Sequence, residues 1–485
     1  MPAIELRPYQ TKTIEEINAC FDGGISPIIV SIPTGGGKTV IAAELIHQWR
    51  AKGKRILFVA DRIALIDQTS ATLDHYGINH GVIQGGHWRA RPWERVQVAS
   101  AETLSRRGWP ETDLVIIDEC HSLRKTITDQ LRANKTPCLG LSATPTTKGL
   151  GKFYKRVITV TTTNKLIAEQ FLVPFKVFAP SEPDMTGVKA PAGEWSVTDA
   201  AEKSMPIIGD VVQEYIQHGE GKKFIAFGCT VAHCEEMKRQ FEAAGVQCEL
   251  YTYRDGETRT EAVKEFRKPH SYLRGLISIS ALSRGFDVSD VEVVIMARPL
   301  KNSLAEHLQI LGRGLRIHTG KKICTVLDHS GNCVRFWNAM HDFLENGITE
   351  LDDGRTKPKT KAKAKIKRPA KCPSCKFVHD PAPSCPACGQ LYTRSSLIQH
   401  QGGRLTEVSG GKNEVTIEEK RDFHGQLLAI AAERGYASGW VSHKFKDKFG
   451  VWPNSMGTEP VTPTPAVMNW VRSRAIAYSK AKKSA

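Results

Sequence analysis

Residues 27–33 (PIIVSIP) form a short β-branched run that passes directly into PTGGGKT at 33–39, and a helical stretch, VIAAELIHQW, follows. Strand, glycine-rich turn and helix in that order constrain the fold more than any other feature, because they call for a parallel sheet whose helix N-terminus faces a phosphate. Gly35, Gly36 and Gly37 let backbone N–H groups curl around phosphate oxygens. Lys38 supplies a point charge to the β- and γ-phosphates, Thr39 can ligate Mg²⁺, and Pro33 and Thr34 complete the cradle. The strict pattern begins with Gly where this chain has Ile32, and an ordinary glycine-rich turn is the bland alternative.

The alternation continues through 55–61, 96–100, 113–119 and 138–144, and resumes after an irregular Pro-containing stretch near 174–206 with 223–230, 248–253, 275–281, 291–298 and 322–329. Short β-branched runs between helical stretches predict an α/β fold with two tandem parallel-sheet lobes. Lobe 1 is expected over residues 1–175, a connector over 176–205 and lobe 2 over 206–350.

Asp118-Glu119-Cys120-His121 ends the apolar run LVII, so two carboxylates emerge from the C-terminal edge of a strand, the edge at which open α/β sheets bind ligands. Asp118 is suited to hold Mg²⁺ and Glu119 to orient and deprotonate the water that attacks the γ-phosphorus. Cys120 reads as a spacer.

With these stations in place the chain resembles superfamily 2 helicases, over approximately residues 5 to 330. Ser142-Ala143-Thr144 looks like the element that, with His121, couples ATP chemistry to lobe movement. Ala60-Asp61-Arg62 and Ala101-Glu102-Thr103 resemble backbone-contact elements for nucleic acid, through Arg62 and Thr103. Leu6-Arg7-Pro8-Tyr9-Gln10 looks like a Q motif, in which Gln10 would read the adenine edge and Arg7 or Tyr9 would flank the ring. In the second half, Ser283-Arg284-Gly285-Phe286-Asp287 resembles motif V: Ser283 and Arg284 would face nucleic acid, and Gly285 and Asp287 the nucleotide. Gln309-Ile310-Leu311-Gly312-Arg313-Gly314-Leu315-Arg316 resembles motif VI. Arg313 and Arg316, three residues apart, are expected on one helical face, where two guanidinium groups would stabilise the charge that spreads over the γ-phosphate in transfer. The resemblance implies two RecA-like lobes closing on Mg-ATP, and it extends more loosely to RadD-type DNA repair helicases and phage-encoded DNA helicases. The DECH sequence and QILGRGLR tilt the expected substrate to DNA over RNA.

Cys372, Cys375, Cys385 and Cys388 are spaced C-x2-C-x9-C-x2-C, the pattern of two thiolate knuckles on a tetrahedral zinc ion. Four thiolates leave no open coordination position, so the expected Zn²⁺ is structural and the expected module a ribbon over 372–390. His379, inside its loop, is expected at the surface. Residues 351–371 read as a basic linker, with nine Lys or Arg and no acid between Arg355 and Lys371. A polar loop is expected over 391–420. A small helical domain over 421–470 would have Trp440, Phe445, Phe449 and Trp452 in its core, and 471–485 reads as a basic tail.

The net charge of +16 favours a polyanionic partner. No run of 18 apolar residues occurs, so no membrane partner is expected. Eight cysteines scattered singly suit a reducing compartment, and the chain reads as cytoplasmic. The function expected is an ATP-dependent motor on single-stranded, forked or duplex DNA, in repair, recombination or replication, working as a monomer with a repair or replication protein as a further partner. Three rivals stand beside it: a translocase that remodels duplexes without separating strands, an ATP-gated zinc-dependent clamp, and an RNA helicase.

Overall fold

The computed structural model describes residues 4–61, 63–122, 125–179, 181–252, 256–279, 288–354, 369–392, 416–437 and 439–483. Its first sheet has seven parallel strands: β1 (Ile28–Ser31), β2 (Ile56–Ala60), β3 (Gly81–Ile83), β4 (Val96–Ser100), β5 (Leu114–Asp118), β6 (Cys138–Ser142) and β7 (Arg156–Ile158). Their spatial order is β3-β4-β2-β5-β6-β1-β7. The second sheet comprises β8 (Phe175–Phe178), β9 (Phe224–Phe227), β10 (Cys248–Leu250), β11 (Gly275–Ser278), β12 (Val293–Met296) and β13 (Cys324–Asp328), ordered β10-β11-β9-β12-β13-β8.

Strands buried on both faces have no polar side to turn to water, which is why they read as continuous apolar runs. Their alternate residues serve two cores. Ile56 and Phe58 of β2 pack with Ile28 and Val30 on one face, while Leu57 and Val59 pack with Ile29 and Val115 on the other. In the second lobe Phe224 and Ala226 face one core, and Ile225 and Phe227 the other.

Two expectations change here, the boundary before lobe 2 and the exposure of His379. The strand Phe175–Phe178 pairs with β13 in parallel, so the second sheet begins inside the stretch expected to end lobe 1 and start a connector. That stretch also packs on lobe 2: Glu194 accepts from the backbone N–H groups of Lys301 and Asn302 at 2.9 and 2.7 Å, and the Arg335 guanidinium lies 4.5 Å from the Trp195 ring. The cysteine module, whose strands are β14 (Ala370–Lys371) and β15 (Val378–His379), docks on the edge of β8. Ala179 N–H donates to Lys376 O at 3.1 Å, and Trp337 Nε1 donates to Asp380 Oδ1 at 3.2 Å. His379 is accordingly buried, its Nε2 2.6 Å from the Tyr392 hydroxyl.

Residues 395–485 form a separate compact unit. Its described helices are Ile417–Arg434, Gly439–Phe449 and Pro465–Lys483. The first opens on a capping box in which Thr416 and Glu419 satisfy each other's backbone N–H groups. Phe423, Leu427, Ile430, Val441, Phe445, Val467 and Val471 make the core, with Trp440 and Phe449 half-buried against it. Trp452 is exposed beneath Lys446 and is no core residue, because it follows the helix end at Phe449. The stretch read as a basic tail continues the third helix to Lys483.

Candidate active site

The turn after β1 is shaped by what its glycines cannot carry. Gly35 and Gly37 have φ of 86° and 83°, in the region that L side chains avoid. A Cβ on Gly36 would lie 2.5 Å from Ile32 Cγ2 and 3.0 Å from the Pro33 carbonyl. Gly37 starts the helix Lys38–Ala51, whose free N–H groups therefore face the turn. From the amino-terminal helix Pro8–Asp22, the Tyr9 hydroxyl and Gln10 Nε2 both donate to the Gly36 carbonyl, at 2.8 and 3.2 Å.

These bonds tie Gln10 to the loop. Its carbonyl end accepts from Arg7 N–H at 2.9 Å, its amide end holds the Gly36 carbonyl, and it is buried, so it braces the phosphate cradle. Tyr9 is equally committed. Arg7 does line the cleft, its guanidinium 4.6 Å from the ring of Phe171, also a lining residue.

Lys38 Nζ lies 3.0 Å from Glu119 Oε1, with both side chains largely buried. Glu119 has φ of 46°, a left-handed backbone that costs a non-glycine residue about 1–2 kcal/mol and turns its carboxylate back towards the lysine. His121 Nδ1 sits 3.3 Å from Glu119 Oε2 and 3.1 Å from Ser142 Oγ, and Ser142 Oγ accepts from Thr144 N–H at 3.1 Å. Burial alone would raise the Glu119 pKa, but the Lys38 ammonium and His121 outweigh it and hold the carboxyl well below the usual range. Asp118 moves the other way: burial first, then the adjacent Glu119 charge, push its carboxyl above the ordinary carboxylate range. Two neighbouring carboxylates are thus differentiated, one firmly ionised and one reluctant to ionise without a cation.

Across the cleft, Gln309 Nε2 donates to Thr144 Oγ1 at 3.1 Å, joining the lobes. Arg313 and Arg316 both line the same cleft, of about 1010 Å³, as Lys38, Thr39, Asp118 and Glu119. They do so without sharing a helical face. The helix ends at Leu311, and the chain turns through Gly312 and Gly314 so that Arg316 pairs with Leu172 in a short antiparallel bridge. Backbone approach requires both glycines: a Cβ on Gly312 would lie 2.5 Å from Thr34 Cβ, and one on Gly314 2.3 Å from Cys324 Sγ.

Ser142, Ala143 and Thr144 are buried at this junction, and Pro33 and Thr34 lie on the lobe 1 side of it. Thr103 sits in the first turn of the helix Ala101–Arg107, capped by Ser100, at the C-terminal end of β4. Arg62, Ser283, Arg284, Gly285 and Asp287 lie outside the described residues. Sequence reasoning missed Phe171 and the cleft-lining pair Lys264 and Arg267. The basic pair has a faint signal in its spacing of three, whereas nothing local distinguishes Phe171.

The Cys372 and Cys388 sulfurs are 3.6 Å apart, as are those of Cys375 and Cys385, and all four lie within 4.8 Å of one another. That is too long for disulfides and close to the roughly 3.8 Å edge of a tetrahedron with Zn–S bonds of about 2.3 Å. The donor set therefore fits zinc.

Two parallel-sheet lobes, with a glycine cradle on one and arginines from the other in a shared cleft, define the class: a two-lobed, RecA-like ATPase. Residues 3–147 match the family described as type III restriction enzyme, res subunit, and residues 208–318 match the helicase conserved C-terminal domain. The chain belongs to the superfamily 2 helicases. It is 27% identical over 389 residues to a 51.5 kDa protein of a Lactococcus phage (isolate 7-9), covering 75% of this chain and 78% of that one. It is 26% identical over 357 residues to IRC3 of Saccharomyces cerevisiae, which carries the name of an ATP-dependent helicase; the match covers 67% of this chain and 51% of IRC3. The chain thus spans about half the length of that relative. Among solved structures, a fragment described as an HsdR subunit of a type I restriction enzyme from Vibrio vulnificus YJ016 shares the fold, with a TM-score of 0.57, 21% identity and coverage of 72% and 69% of the two chains. No helix among the described residues is long and apolar enough to cross a membrane.

Proposed function

We propose that this enzyme is a DNA-stimulated ATPase that moves along or unwinds DNA by closing and opening the cleft between its lobes. The reading is carried by one observation, the polar chain from Lys38 through Glu119, His121, Ser142 and Thr144 to Gln309, which links the phosphate cradle to the other lobe. An arriving triphosphate would draw Lys38 from Glu119 onto the β- and γ-phosphates. The carboxylate so released would orient and deprotonate the attacking water. Arg313 and Arg316 would meet the γ-phosphate from the second lobe, so closure depends on that phosphate being present. Thr39 and Asp118 fit the role of Mg²⁺ ligands, and the ion would supply charge neutralisation on the phosphates. The four cysteines would hold a structural zinc that stiffens the ribbon against β8.

The net charge of +16 and the matches to helicase and restriction-enzyme families support DNA as partner; repair, recombination or replication is the proposed setting and the cytoplasm the proposed location. Arginines contributed in cis suit a working monomer. Steady-state phosphate release with single-stranded DNA, duplex, fork and RNA at two salt concentrations tests the reading. DNA should accelerate turnover severalfold, with an apparent affinity that falls steeply as salt rises. A rate indifferent to every nucleic acid would reduce the lobes to a gate. A second reading, tracking along duplex without strand separation, draws support from the match to a restriction-enzyme subunit. Displacement of a third strand from an intact duplex, without unwinding of a labelled fork, would favour it.

A further inference from the structure

The loop between β3 and β4, residues 84–95 (QGGHWRARPWER), carries two of the most exposed large apolar side chains among the described residues, Trp88 at 75% and Trp93 at 73%. They lie at opposite edges of the sheet. Ile83 is in register with Ala99 of β4, so the loop leaves level with Ser100 and with the end of β2, the edge that also bears the helix start at Ala101–Thr103. A turn at 84–87 then brings the chain back, and Val82 N–H donates to the Arg89 carbonyl at 2.9 Å, which keeps Trp88 at that C-terminal edge. Trp93, three residues before β4 begins at Val96, has returned to the opposite, N-terminal edge.

Trp88 is also braced. The Arg89 guanidinium lies 4.7 Å from its ring and is itself fixed by two bonds to Asp74, at 2.5 and 2.7 Å, and by a 3.0 Å contact to the buried His80. The His87 imidazole stacks at 5.8 Å and 24° to the indole and is held in turn 3.6 Å from Asp67. A large ring that is exposed yet held by neighbours anchored to the lobe has little rotamer freedom left to lose on binding. Arg91 is exposed further along the same loop, and the loop has three arginines against one glutamate.

We propose that Trp88 is a base-stacking platform for single-stranded nucleic acid, extending the strand's path along lobe 1 beyond Thr103; this rests on the reading of the protein as a nucleic-acid motor. An indole face accepts any base, so the contact would add affinity without sequence preference. It would also require bases, which phosphate contacts do not.

The test uses the full chain without nucleotide, with fluorescein-labelled oligothymidylate and a strand of equal length and charge carrying abasic sites, followed by anisotropy. The wild type should bind the base-bearing strand ~10-fold more tightly than the abasic one. Trp88→Ala should erase that preference while leaving abasic binding and the thermal midpoint unchanged. Trp88→Phe should keep most of it, and Trp93→Ala all of it. If Trp88→Ala retains the full preference, or the wild type binds both strands equally, the platform is overturned while the motor reading stands. If the wild type binds neither strand, both fall.

Discussion

In the first lobe charged groups of the cleft are held by one another: Lys38, at a helix start, by Glu119, and Glu119 by His121, all at one sheet edge. In the second lobe Arg313 and Arg316 follow a helix end, and backbone packing sets their position, with Gly312 against Thr34 and Gly314 against Cys324. The two lobes thus bring their charged groups to the cleft on different local frameworks, a strand-edge turn with a helix start in one and a glycine-containing turn after a helix in the other. Lobe 1 holds its lysine and carboxylate against each other before any ligand arrives, while lobe 2 delivers its guanidinium groups from a turn whose glycines lie against Thr34 and Cys324.

The largest expected effects separate the two kinds of contribution. Lys38→Ala should abolish turnover and weaken nucleotide binding together, because the lysine meets the phosphates in the ground state. Arg313→Ala should cut kcat by roughly 10³-fold while leaving nucleotide affinity within a few fold, the signature of a group engaged in the transition state. Steady-state ATPase assays with fluorescent-nucleotide titration measure both. If Arg313→Ala acted on affinity alone, the division would break.

Acid should act on lobe 2. His233 and His329 are buried there and held down at about 4, against an ordinary 6.5. Between those values the unfolded chain binds protons that the folded lobe refuses. Stability is therefore full above pH ~6.5 and falls as pH drops towards ~4, by on the order of 1.4 kcal/mol per pH unit for each group. Urea unfolding at about pH 7 and about pH 5, read by a hydrogen-exchange pulse at one common pH, should report the loss in peptides of lobe 2.

Gly314→Ala forces a methyl group to within 2.3 Å of Cys324 Sγ and 2.7 Å of Val294 Cγ2. It should cost about 1–3 kcal/mol in thermal unfolding and lower kcat by displacing the arginines, leaving nucleotide affinity intact. The smallest effect is expected at the lobe junction. Gln309→Ala removes the bond to Thr144, a bond of a kind worth about 1 kcal/mol, and should weaken the DNA stimulation of turnover more than the basal rate.

Legibility in the sequence followed local pattern. The β-branched runs gave β1, β2, β4 to β6 and β9 to β13, and PTGGGKT with Asp118-Glu119 marked the phosphate-facing edge, because period, glycine content and strand ends are local properties. The strands Gly81–Ile83, Arg156–Ile158 and Phe175–Phe178 went unread; each pairs at an edge of its sheet with a strand distant in sequence or beyond a loop, a partner no local pattern names. The bonding of Gln10 to Gly36 was not legible because it joins two distant elements, and the arginine pair misled because the helix stops at Leu311, with Gly312 at its cap.

By itself the sequence determined two parallel sheets, a glycine cradle before a helix and a four-thiolate cluster, each written in spacings of a few residues. Only the tertiary structure decided that the ribbon docks on β8, that Glu119 reaches Lys38 through a left-handed backbone, and that Arg313 and Arg316 share a cleft with both. The physical reason is that these are long-range contacts. Their energy comes from surfaces that meet only once distant parts of the chain have folded together.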